Sequence, residues 1–465
     1  MTGSPPTSDL MGGARSGETL PARPRVVVVG GGFGGLAAAQ ALRHAPVDVT
    51  LIDRRNFHLF QPLLYQVATA ALSPGDIAWP IRSIFARQCN VTVLMMEICG
   101  IDPVQRTVTD GTTTLGYDYL IVATGATHAY FGHDDWEPFA PGLKTIADAR
   151  ALRERLLIAF EKAEVAARTA GRHRPVTIVV VGGGATGVEM AGAIAELAHR
   201  TLSGEFRHTD TQATRVLLIE AGPRILSAFP ADLADVAVAS LAAMRVDVHV
   251  DKTVTACDTT GVTVGRARID ADLVVWAAGV KASAAAGWLG AASDRAGRVK
   301  VKTDLTVVGH PEIFVVGDTA AVRGMNGVAV PGLAPAAKQM GAFAGHAVAE
   351  KVAGRPSPGS FRYRHLGDLA TIGRNSAIVS LGRLKLRGRV GWLFWCLAHI
   401  LFLVGFRSRA TVAIDWLWSY LTSQRGIRLI SDKERPVPAD LSAATASPAH
   451  SPSDPLIGSS SGRQT

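Results

Sequence analysis

The stretch VVVVGGGFGGLAAAQAL, residues 26–42, decides the fold. Its valine run predicts a buried strand, and the alanine-rich run after it predicts a helix. Between them, Gly30, Gly32 and Gly35 form the pattern GxGxxG. In a strand–turn–helix unit the first glycine permits the tight turn, the second lets a pyrophosphate approach the backbone, and the third lets helix and strand pack closely. Asp53 closes the next predicted strand, 23 residues after Gly30, where a carboxylate can accept hydrogen bonds from ribose hydroxyls. The stretch therefore predicts a dinucleotide-binding α/β domain.

A second copy of the pattern lies in IVVVGGGATGVEMAGAIAEL, residues 178–197. Gly182, Gly184 and Gly187 again lie between a predicted strand and a predicted helix. Glu220 closes the following strand 38 residues after Gly182, whereas about 20 is usual, so residues 203–212 are predicted to loop out. A carboxylate there accepts a bond from a free ribose 2′-hydroxyl and repels a 2′-phosphate. Glu220 therefore predicts a preference for NADH over NADPH, which Arg224 would oppose.

The composition is that of a folded α/β protein. The chain has 465 residues, of which 48% are hydrophobic and 19% charged, so it is neither mainly disordered nor a fibrous rod. At about 150 residues per domain, we expect three units. The four cysteines include no CxxC pair, which argues against a disulfide scaffold and a zinc ribbon. We expect a reducing compartment and no metal site.

Short Val/Ile-rich runs alternate with alanine-rich helical stretches, the pattern of parallel α/β domains. Seven strands are predicted: 25–29, 49–52, 119–123, 177–181, 216–219, 273–276 and 313–316. The fold class is therefore two Rossmann-like domains followed by a helical C-terminal segment. We place the first domain at 25–145 and 278–355, the second at 146–277 and the C-terminal region at 356–435. Residues 1–24 and 436–465 are Ser/Pro/Gly- or Ser/Pro/Ala-rich and are predicted to be disordered.

The excess positive charge is confined to the C-terminal region. Residues 360–430 contain eleven Lys/Arg and two acids, so this segment accounts for the whole net charge of +9. Within it, residues 390–406 (VGWLFWCLAHILFLVGF) carry no formal charge and are flanked by Arg383, Lys385, Arg387, Arg389, Arg407 and Arg409. A spanning helix needs about 20 apolar residues, so this shorter, Trp-rich run favours docking on the surface of a membrane. A true span and a buried dimer-interface helix are the alternatives. Nucleic-acid binding is disfavoured because apolar runs interrupt the cations.

Two further motifs accompany the glycine loops. Ala123-Thr124-Gly125 follows a predicted strand, and Gly317-Asp318 follows a later one. Together with the N-terminal GxGxxG, these motifs resemble those of the two-dinucleotide-binding flavoproteins. The resemblance implies noncovalent FAD at the N-terminal loop, with Asp318 at the flavin ribityl chain. It also implies NADH at the internal loop, with the Thr124 turn marking the crossing into the NADH domain.

A narrower resemblance is carried by three stretches, residues 56–78, 130–149 and 186–198, which are similar to stretches of the type II NADH:quinone oxidoreductases. The similarity to this family runs from about residue 25 to residue 430. This resemblance implies transfer of a hydride from NADH to FAD and of two electrons on to a quinone, without proton pumping. It also implies a homodimer attached monotopically to the cytoplasmic side of the inner membrane. Glu189 is implied at the nicotinamide and quinone side of the flavin, and Gly279 at the nicotinamide end. The alternative for Glu189 is a solvated helix residue.

The chain departs from this family in its quinone motif, AQxAxQ. Residues 334–339 read Ala-Pro-Ala-Ala-Lys-Gln, so Gln339 is kept while Pro335 replaces the first glutamine. Proline suits the first turn of a helix, and the helix N-terminus can still stabilise negative charge on a reduced flavin. Pro335 offers no amide to a quinone, which leaves Gln339 as the catalytic candidate of this motif. Lys338 is predicted to be a solvated helix residue.

Two other functions fit the same scaffold: a soluble NAD(P)H-dependent reductase of an electron-carrier protein, and a redox-sensing flavoprotein. The first has no reason to carry the arginine-flanked Trp/Leu segment. A disulfide reductase is disfavoured because no Cys-x4-Cys pair is present. Sulfide:quinone oxidoreductases need cysteines at the flavin, and Cys89, Cys99 and Cys257 do not fall in obvious positions for that.

Overall fold

The computed structural model describes residues 23–324, 327–422 and 427–430. The predicted disordered ends therefore lie outside the described residues, apart from Arg23 and Pro24. The described residues up to Arg428 belong to one unit, and of the second unit, which begins at Leu429, only Leu429 and Ile430 are described.

The first sheet has six strands and holds the N-terminal glycine motif. The strand Arg25–Val29 lies inside it, paired in parallel with Asp48–Asp53 and Tyr119–Val122, and its four valines are almost fully buried. A strand buried on both faces is typical of a parallel sheet covered by helices. The spatial order is Thr306–Val307, His310–Val315, Tyr119–Val122, Arg25–Val29, Asp48–Asp53, Val91–Met95.

Two helices meet closely beside this sheet. The helix Phe33–Ala41 follows the first glycine motif, and the helix Ala334–Val352 lies against it. A Cβ atom on Gly341 would lie 1.9 Å from the backbone oxygen of Gly34. Only glycine fits at that contact, so the late helix is fixed against the first turn of the early one.

The second sheet has four parallel strands in the order Val246–His249, Arg215–Ile219, Thr177–Val181, Leu273–Trp276. The helices Ile146–Ala170, Ala185–Glu196 and Ala231–Ala243 accompany it, and a π turn at Leu197–Thr201 continues the second of them. The longest helix begins with a capping box in which Thr145 and Asp148 bond each other's backbone N–H.

Smaller elements join the two sheets and extend them. The crossing between the halves is a pair of antiparallel strands, Ala126–His128 and Val280–Ala282. Short helices occupy Leu64–Ala68, Pro74–Ile77, Ile81–Phe85 and Ala285–Trp288. The remaining strands are Phe57–Leu59, Ala78–Pro80, Gly100–Asp102, Thr107–Thr109, Thr114–Gly116, Val254–Asp258, Gly261–Val264, Ala267–Asp270, Val299–Lys300 and Ala320–Ala321.

The C-terminal region begins with the antiparallel strands Asp368–Thr371, Ala377–Leu381 and Leu384–Arg387. Two helices follow, Gly388–Phe402 and Phe406–Thr422, which we call the first and second C-terminal helices. The apolar run 390–406, predicted as one segment, is broken because Leu403 is extended and Gly405 has φ +85°. Within the described ranges, no helix is both long and apolar enough to cross a bilayer.

The architecture confirms the predicted fold class, and all seven predicted strands are present with ends shifted by at most a few residues. The strands of the second sheet fall between residues 177 and 276. The domain boundaries given above stay a prediction.

Candidate active site

The first glycine motif forms a tight loop, residues 30–35, which we call the first loop. Gly30 has φ +109°, and its N–H donates to Ile52 O at 2.7 Å. A Cβ atom on Gly30 would lie 2.3 Å from the oxygen of Ala123, and one on Gly35 would lie 1.7 Å from the oxygen of Gly30. Both positions admit only glycine, as predicted: Gly30 because of the tight turn and Gly35 because the helix packs closely on the strand.

Gly32 differs from its neighbours, because a Cβ atom there would meet no protein atom within 4 Å. It is the N-cap of helix Phe33–Ala41 and offers no side-chain cap, so the first N–H groups of the helix face open space. Such a helix end is a ready anion site. Asp53 is hydrogen-bonded to the first loop, since its Oδ2 accepts from Gly31 N at 2.6 Å. Its Oδ1 accepts from Arg55 N at 2.8 Å.

The two other flavin motifs lie side by side although they are far apart in the chain. The N–H of Gly125 donates to Thr319 Oγ1 at 2.7 Å, and Thr124 Oγ1 lies 2.6 Å from Ser283 Oγ. Asp318 is half-buried beside Gly317, which has φ +71°. None of the described residues donates a hydrogen bond to the Asp318 carboxylate, so it is free to accept bonds from hydroxyls. An open loop for a pyrophosphate and a free carboxylate together fit FAD.

The helix Ala334–Val352 directs its first turn toward this site. Its N-cap is Leu333 and Pro335 lies in its first turn, as predicted. A Cβ atom on Gly34 or on Gly317 would lie 3.3 Å from Ala337. The N-terminal end of the helix therefore borders both the first loop and the Gly-Asp turn, where its dipole favours negative charge.

Gln339 bonds the C-terminal region through Arg364. Its Nε2 donates to Arg364 O at 2.9 Å, and its Oε1 accepts from Arg364 N at 3.0 Å. Both ends of the amide are thus engaged by one residue's backbone. Lys338 beside it is exposed, as predicted.

The second loop, residues 182–187, repeats the plan of the first. Gly182 has φ +109°, and a Cβ atom there would lie 2.5 Å from Ala277 O. A Cβ atom on Gly187 would lie 1.8 Å from Gly182 O, whereas one on Gly184 would meet nothing within 4 Å. The second loop therefore presents the same open helix end for a pyrophosphate.

Glu220 lies where an acid is expected despite its unusual spacing. Its Oε2 accepts from Gly183 N at 2.5 Å and its Oε1 from Gly222 N at 2.7 Å. The extra residues are accommodated, as predicted, in the segment between Thr201 and Arg215. Arg224 is turned to Ser227, whose backbone oxygen accepts from Nη2 at 2.8 Å.

Gly279 lies beside the second loop, two residues beyond Ala277, and its oxygen accepts from Ala129 N at 3.1 Å. The exposed ring of Phe131 lies against it. Sequence reasoning missed Phe131, since the only local signal is a Phe-Gly pair in a turn.

Glu189 is a half-buried residue of helix Ala185–Glu196 and not a solvated one. The N–H of Thr371 approaches its Oε1 at 3.4 Å. Burial raises the pKa of Glu189 to about 8, against an opposing effect of the Thr371 bond. The carboxyl group is therefore mainly protonated at neutral pH and can deliver a proton.

A pocket lined by aromatic side chains, the aromatic pocket, lies between the C-terminal helices and the helices Leu64–Ala68 and Ala185–Glu196. Trp416 Nε1 donates to Gln66 Oε1 at 2.7 Å across it, and Thr371, which contacts Glu189, is in its wall. Sequence reasoning did not find this pocket, because its walls come from five separate segments. Its lining includes Tyr65, Gln66, Glu196, Arg374, Trp392, Trp395, Trp416 and Tyr420.

Residues 24–341 match the family model described as pyridine nucleotide-disulphide oxidoreductase, and residues 365–425 match the model of the NDH2 C-terminal domain. The described strands of both sheets lie within the first match. The matched C-terminal range contains both C-terminal helices.

Individual proteins agree with these models. The type II NADH:quinone oxidoreductase NdhA of Mycobacterium tuberculosis is 47% identical over 428 residues, covering 88% of this chain and 90% of that protein. The enzyme Ndh of the same organism is 43% identical, with 89% and 92% covered. The structure of NDH2 from Plasmodium falciparum in complex with NADH has the same fold, with a TM-score of 0.78 at 20% identity, covering 87% of this chain and 99% of that one. The chain therefore belongs to the family of type II NADH:quinone oxidoreductases.

Proposed function

We propose that the protein transfers a hydride from NADH to bound FAD at the two loops and reduces a quinone in the aromatic pocket. Membership of the family confirms the predicted activity and the use of FAD with NADH. The proposed location of the quinone is supported by the aromatic pocket, whose walls include residues of the C-terminal helices and Thr371. Thr371 in turn contacts Glu189.

The walls of the pocket suit a flat, apolar ring with two carbonyl groups. Trp392 stacks on Tyr420 with ring centroids 5.6 Å apart, and Trp395 lies 5.3 Å from Trp416. Polar contacts among these apolar walls come from Gln66, Arg374 and Glu196, with Arg374 Nε 3.3 Å from Glu196 Oε1. Few polar groups among aromatic walls are typical of ligand sites.

The chemistry that bound FAD would supply is acceptance of a hydride from NADH and transfer of two electrons to a quinone. The residues of this chain would bind and orient the partners: the first loop, Asp53 and Asp318 would hold FAD, and the second loop and Glu220 would hold NADH. The helix end at Pro335 faces the site at which negative charge develops. Glu189 holds a proton on its carboxyl group at neutral pH and delivers it toward the reduced quinone through the Thr371 end of the pocket.

We propose that the protein is attached to the cytoplasmic surface of the inner membrane, and the exposed faces of the C-terminal helices support its attachment to a membrane surface. Leu393, Leu397 and Leu401 recur at helical spacing on the first helix and are all more than half exposed. Ile414, Leu417 and Leu421 are exposed in the same way on the second helix. Arg383, Arg387, Arg389 and Arg407 are exposed nearby. An apolar face with flanking cations is typical of helices that lie in the interface, where each cation contributes about 1 kcal/mol.

Two of the flanking cations are occupied within the protein. Lys385 Nζ lies 2.7 Å from Asp232 Oδ1, and Arg409 donates to the backbone oxygens of Leu403 and Leu401. The proposed lipid contacts are therefore made by the four exposed arginines.

The homodimer implied by the family resemblance remains part of the proposal, and light scattering of the detergent-solubilised protein tests it.

The pocket is tested by filling it. Ser419 lines the aromatic pocket from the second C-terminal helix, and Thr422 lies one turn further on without lining it. Ser419→Trp is expected to abolish quinone reduction while NADH still reduces ferricyanide, and Thr422→Trp should leave both activities intact. Undiminished quinone turnover by Ser419→Trp, with the bulky side chain in place, would remove the quinone from this pocket.

Membrane attachment is tested separately. Leu393→Asp with Leu397→Asp should abolish cosedimentation with vesicles containing anionic lipid, because two charges would enter the apolar face. Val104→Asp, at an exposed apolar residue of the hairpin between the strands Gly100–Asp102 and Thr107–Thr109, is the control. Full binding of the double variant would refute docking through these helices.

A further inference from the structure

Phe131 is an exposed aromatic residue held in a strained backbone conformation. Its φ is +53°, in the left-handed region, and 70% of its surface is exposed. Bulky side chains are outliers in this region. Such strain persists where the surrounding structure imposes it, and it clusters at functional sites.

The strain comes from a tight turn, Tyr130–His133, closed by a hydrogen bond from His133 N to Tyr130 O at 3.0 Å. Phe131 and Gly132 are its two central residues and both have positive φ. Glycine and asparagine favour such a turn. Phenylalanine at the first central position is therefore not explained by the turn itself.

Both ends of the turn make aromatic contacts with buried tryptophans. Tyr130 stacks on Trp276 with centroids 5.1 Å apart, and its hydroxyl donates to Ala140 O at 2.8 Å. His133 stacks on Trp136 at 4.2 Å. These contacts hold the backbone of the turn, from which the Phe131 side chain extends.

The Phe131 ring reaches Gly279. The Phe131 Cζ atom lies 2.8 Å from the position of a Cβ atom on Gly279, so the tip of the ring rests on the glycine. Gly279 lies two residues after Ala277, which contacts Gly182 of the second loop. It also precedes the strand Val280–Ala282, which leads to Ser283 and its contact with Thr124 at the flavin site. The ring therefore lies against the chain segment that leads from Ala277, at the second loop, to Ser283, at the flavin motifs.

We propose that one face of the Phe131 ring packs against the nicotinamide half of NADH. This inference rests on the proposed function, which places NADH at the second loop. The adenosine half lies at Glu220, on the other side of the loop. The tip of the ring rests on Gly279, but most of the residue is exposed in the folded chain alone, and a flat nucleotide would cover the exposed face.

The test compares Phe131→Ala, Phe131→Asn and Phe131→Tyr in steady-state turnover with varied NADH at a saturating short-chain quinone. Loss of one aromatic contact is expected to raise KM for NADH about tenfold in the Ala and Asn variants. The change in kcat should stay below about twofold. Phe131→Tyr keeps the ring and should retain the wild-type KM. Val308→Ala removes an equally exposed apolar side chain from the turn between the strands Thr306–Val307 and His310–Val315 and is the control.

The variants separate a binding role from a structural one. Asparagine tolerates positive φ, so Phe131→Asn should unfold at a higher temperature than wild type while binding NADH more weakly. An unchanged KM in Phe131→Asn overturns the proposal, and a lowered KM overturns it in favour of a ring that blocks the site. A wild-type protein that fails to oxidise NADH would instead refute the proposed function.

Discussion

The carboxylate of Glu220 accepts a hydrogen bond from the backbone of Gly183 at 2.5 Å. Asp53 accepts the equivalent bond from Gly31 at 2.6 Å in the other half of the molecule. The two acids reach the same place although one is 38 residues and the other 23 residues from the first glycine of its loop. Strand register explains this, because each acid lies at the end of a strand paired in parallel with the strand that enters its loop.

Replacing the Glu220 carboxylate should shift nucleotide selectivity. Glu220→Gln keeps an oxygen that can accept from Gly183 and removes the charge that repels a 2′-phosphate. The NADPH/NADH ratio of kcat/KM is expected to rise about tenfold, equivalent to about 1.4 kcal/mol. Steady-state kinetics with both nucleotides measures it, with Glu161→Gln on the exposed side of a helix as the control. A ratio equal to that of wild type would place the selectivity elsewhere.

The glycines of the second loop should respond differently to alanine. Gly187→Ala places a methyl group 1.8 Å from Gly182 O, so this variant is expected to be destabilised and to lose NADH binding. Gly184→Ala meets no protein atom and should fold normally, yet its methyl group occupies the space that the pyrophosphate needs. We expect a normal unfolding temperature with KM for NADH raised at least about tenfold. Normal NADH binding by Gly184→Ala would show that the pyrophosphate lies elsewhere.

The parts of the site that could be predicted from sequence are local. Gly35 and Gly187 are required by contacts within a single strand–turn–helix unit. Gly30 and Gly182 have positive φ in the turn of that unit, so the spacing of all four glycines identifies them. The chain distance from Gly182 does not identify Glu220, but its position at the end of the next strand does. The strand candidates were found for the same reason, since buried parallel strands are short and almost wholly apolar.

The parts that sequence reasoning missed depend on tertiary contacts. Composition gives no indication that Gln339 bonds the backbone of Arg364, or that Trp416 bonds Gln66 across 350 residues. The apolar run 390–406 has no proline, and its break depends on Leu403 and on the positive φ of Gly405. Trp395, only 1% exposed, packs in the core that contains the helix Ala185–Glu196. Deleting the C-terminal helices would therefore open that core, which makes point substitutions the better test of docking.

Gln339→Ala should loosen the attachment of the C-terminal region. Both backbone groups of Arg364 lose their partner, so we expect the free energy of unfolding to fall by about 2 kcal/mol. FAD should stay bound, because the first loop and Asp318 are untouched. Urea unfolding followed by flavin fluorescence measures the change, with Lys338→Ala as the exposed neighbour for control. Loss of quinone turnover at unchanged stability would instead give Gln339 the direct quinone role that the family resemblance implies.

Glu189→Gln should slow the quinone half of the reaction and leave the NADH half intact. Since burial raises the pKa of Glu189 to about 8, the wild-type carboxyl group carries a proton below that pH and loses it above. Wild-type quinone reduction should therefore be nearly constant up to about pH 8 and fall beyond it. Glutamine has no proton to deliver, so turnover should drop by about 10²-fold and the inflection near pH 8 should disappear. Ferricyanide takes electrons without protons, so its reduction should not change.

The same pKa shift predicts how stability depends on pH. The folded protein keeps the Glu189 proton that the unfolded chain releases above its ordinary pKa of 4.5, so this residue makes stability fall as the pH rises from about 4.5 to about 8. Above pH 8 both states are ionised and the contribution is constant. Glu189→Gln should flatten the fall within that window, as measured by urea unfolding at several pH values, whereas Glu161→Gln should not.

The rate of quinone reduction decides the proton-delivering role separately. A quinone rate that still falls near pH 8 in Glu189→Gln would assign the titration to another group and leave Glu189 without that role.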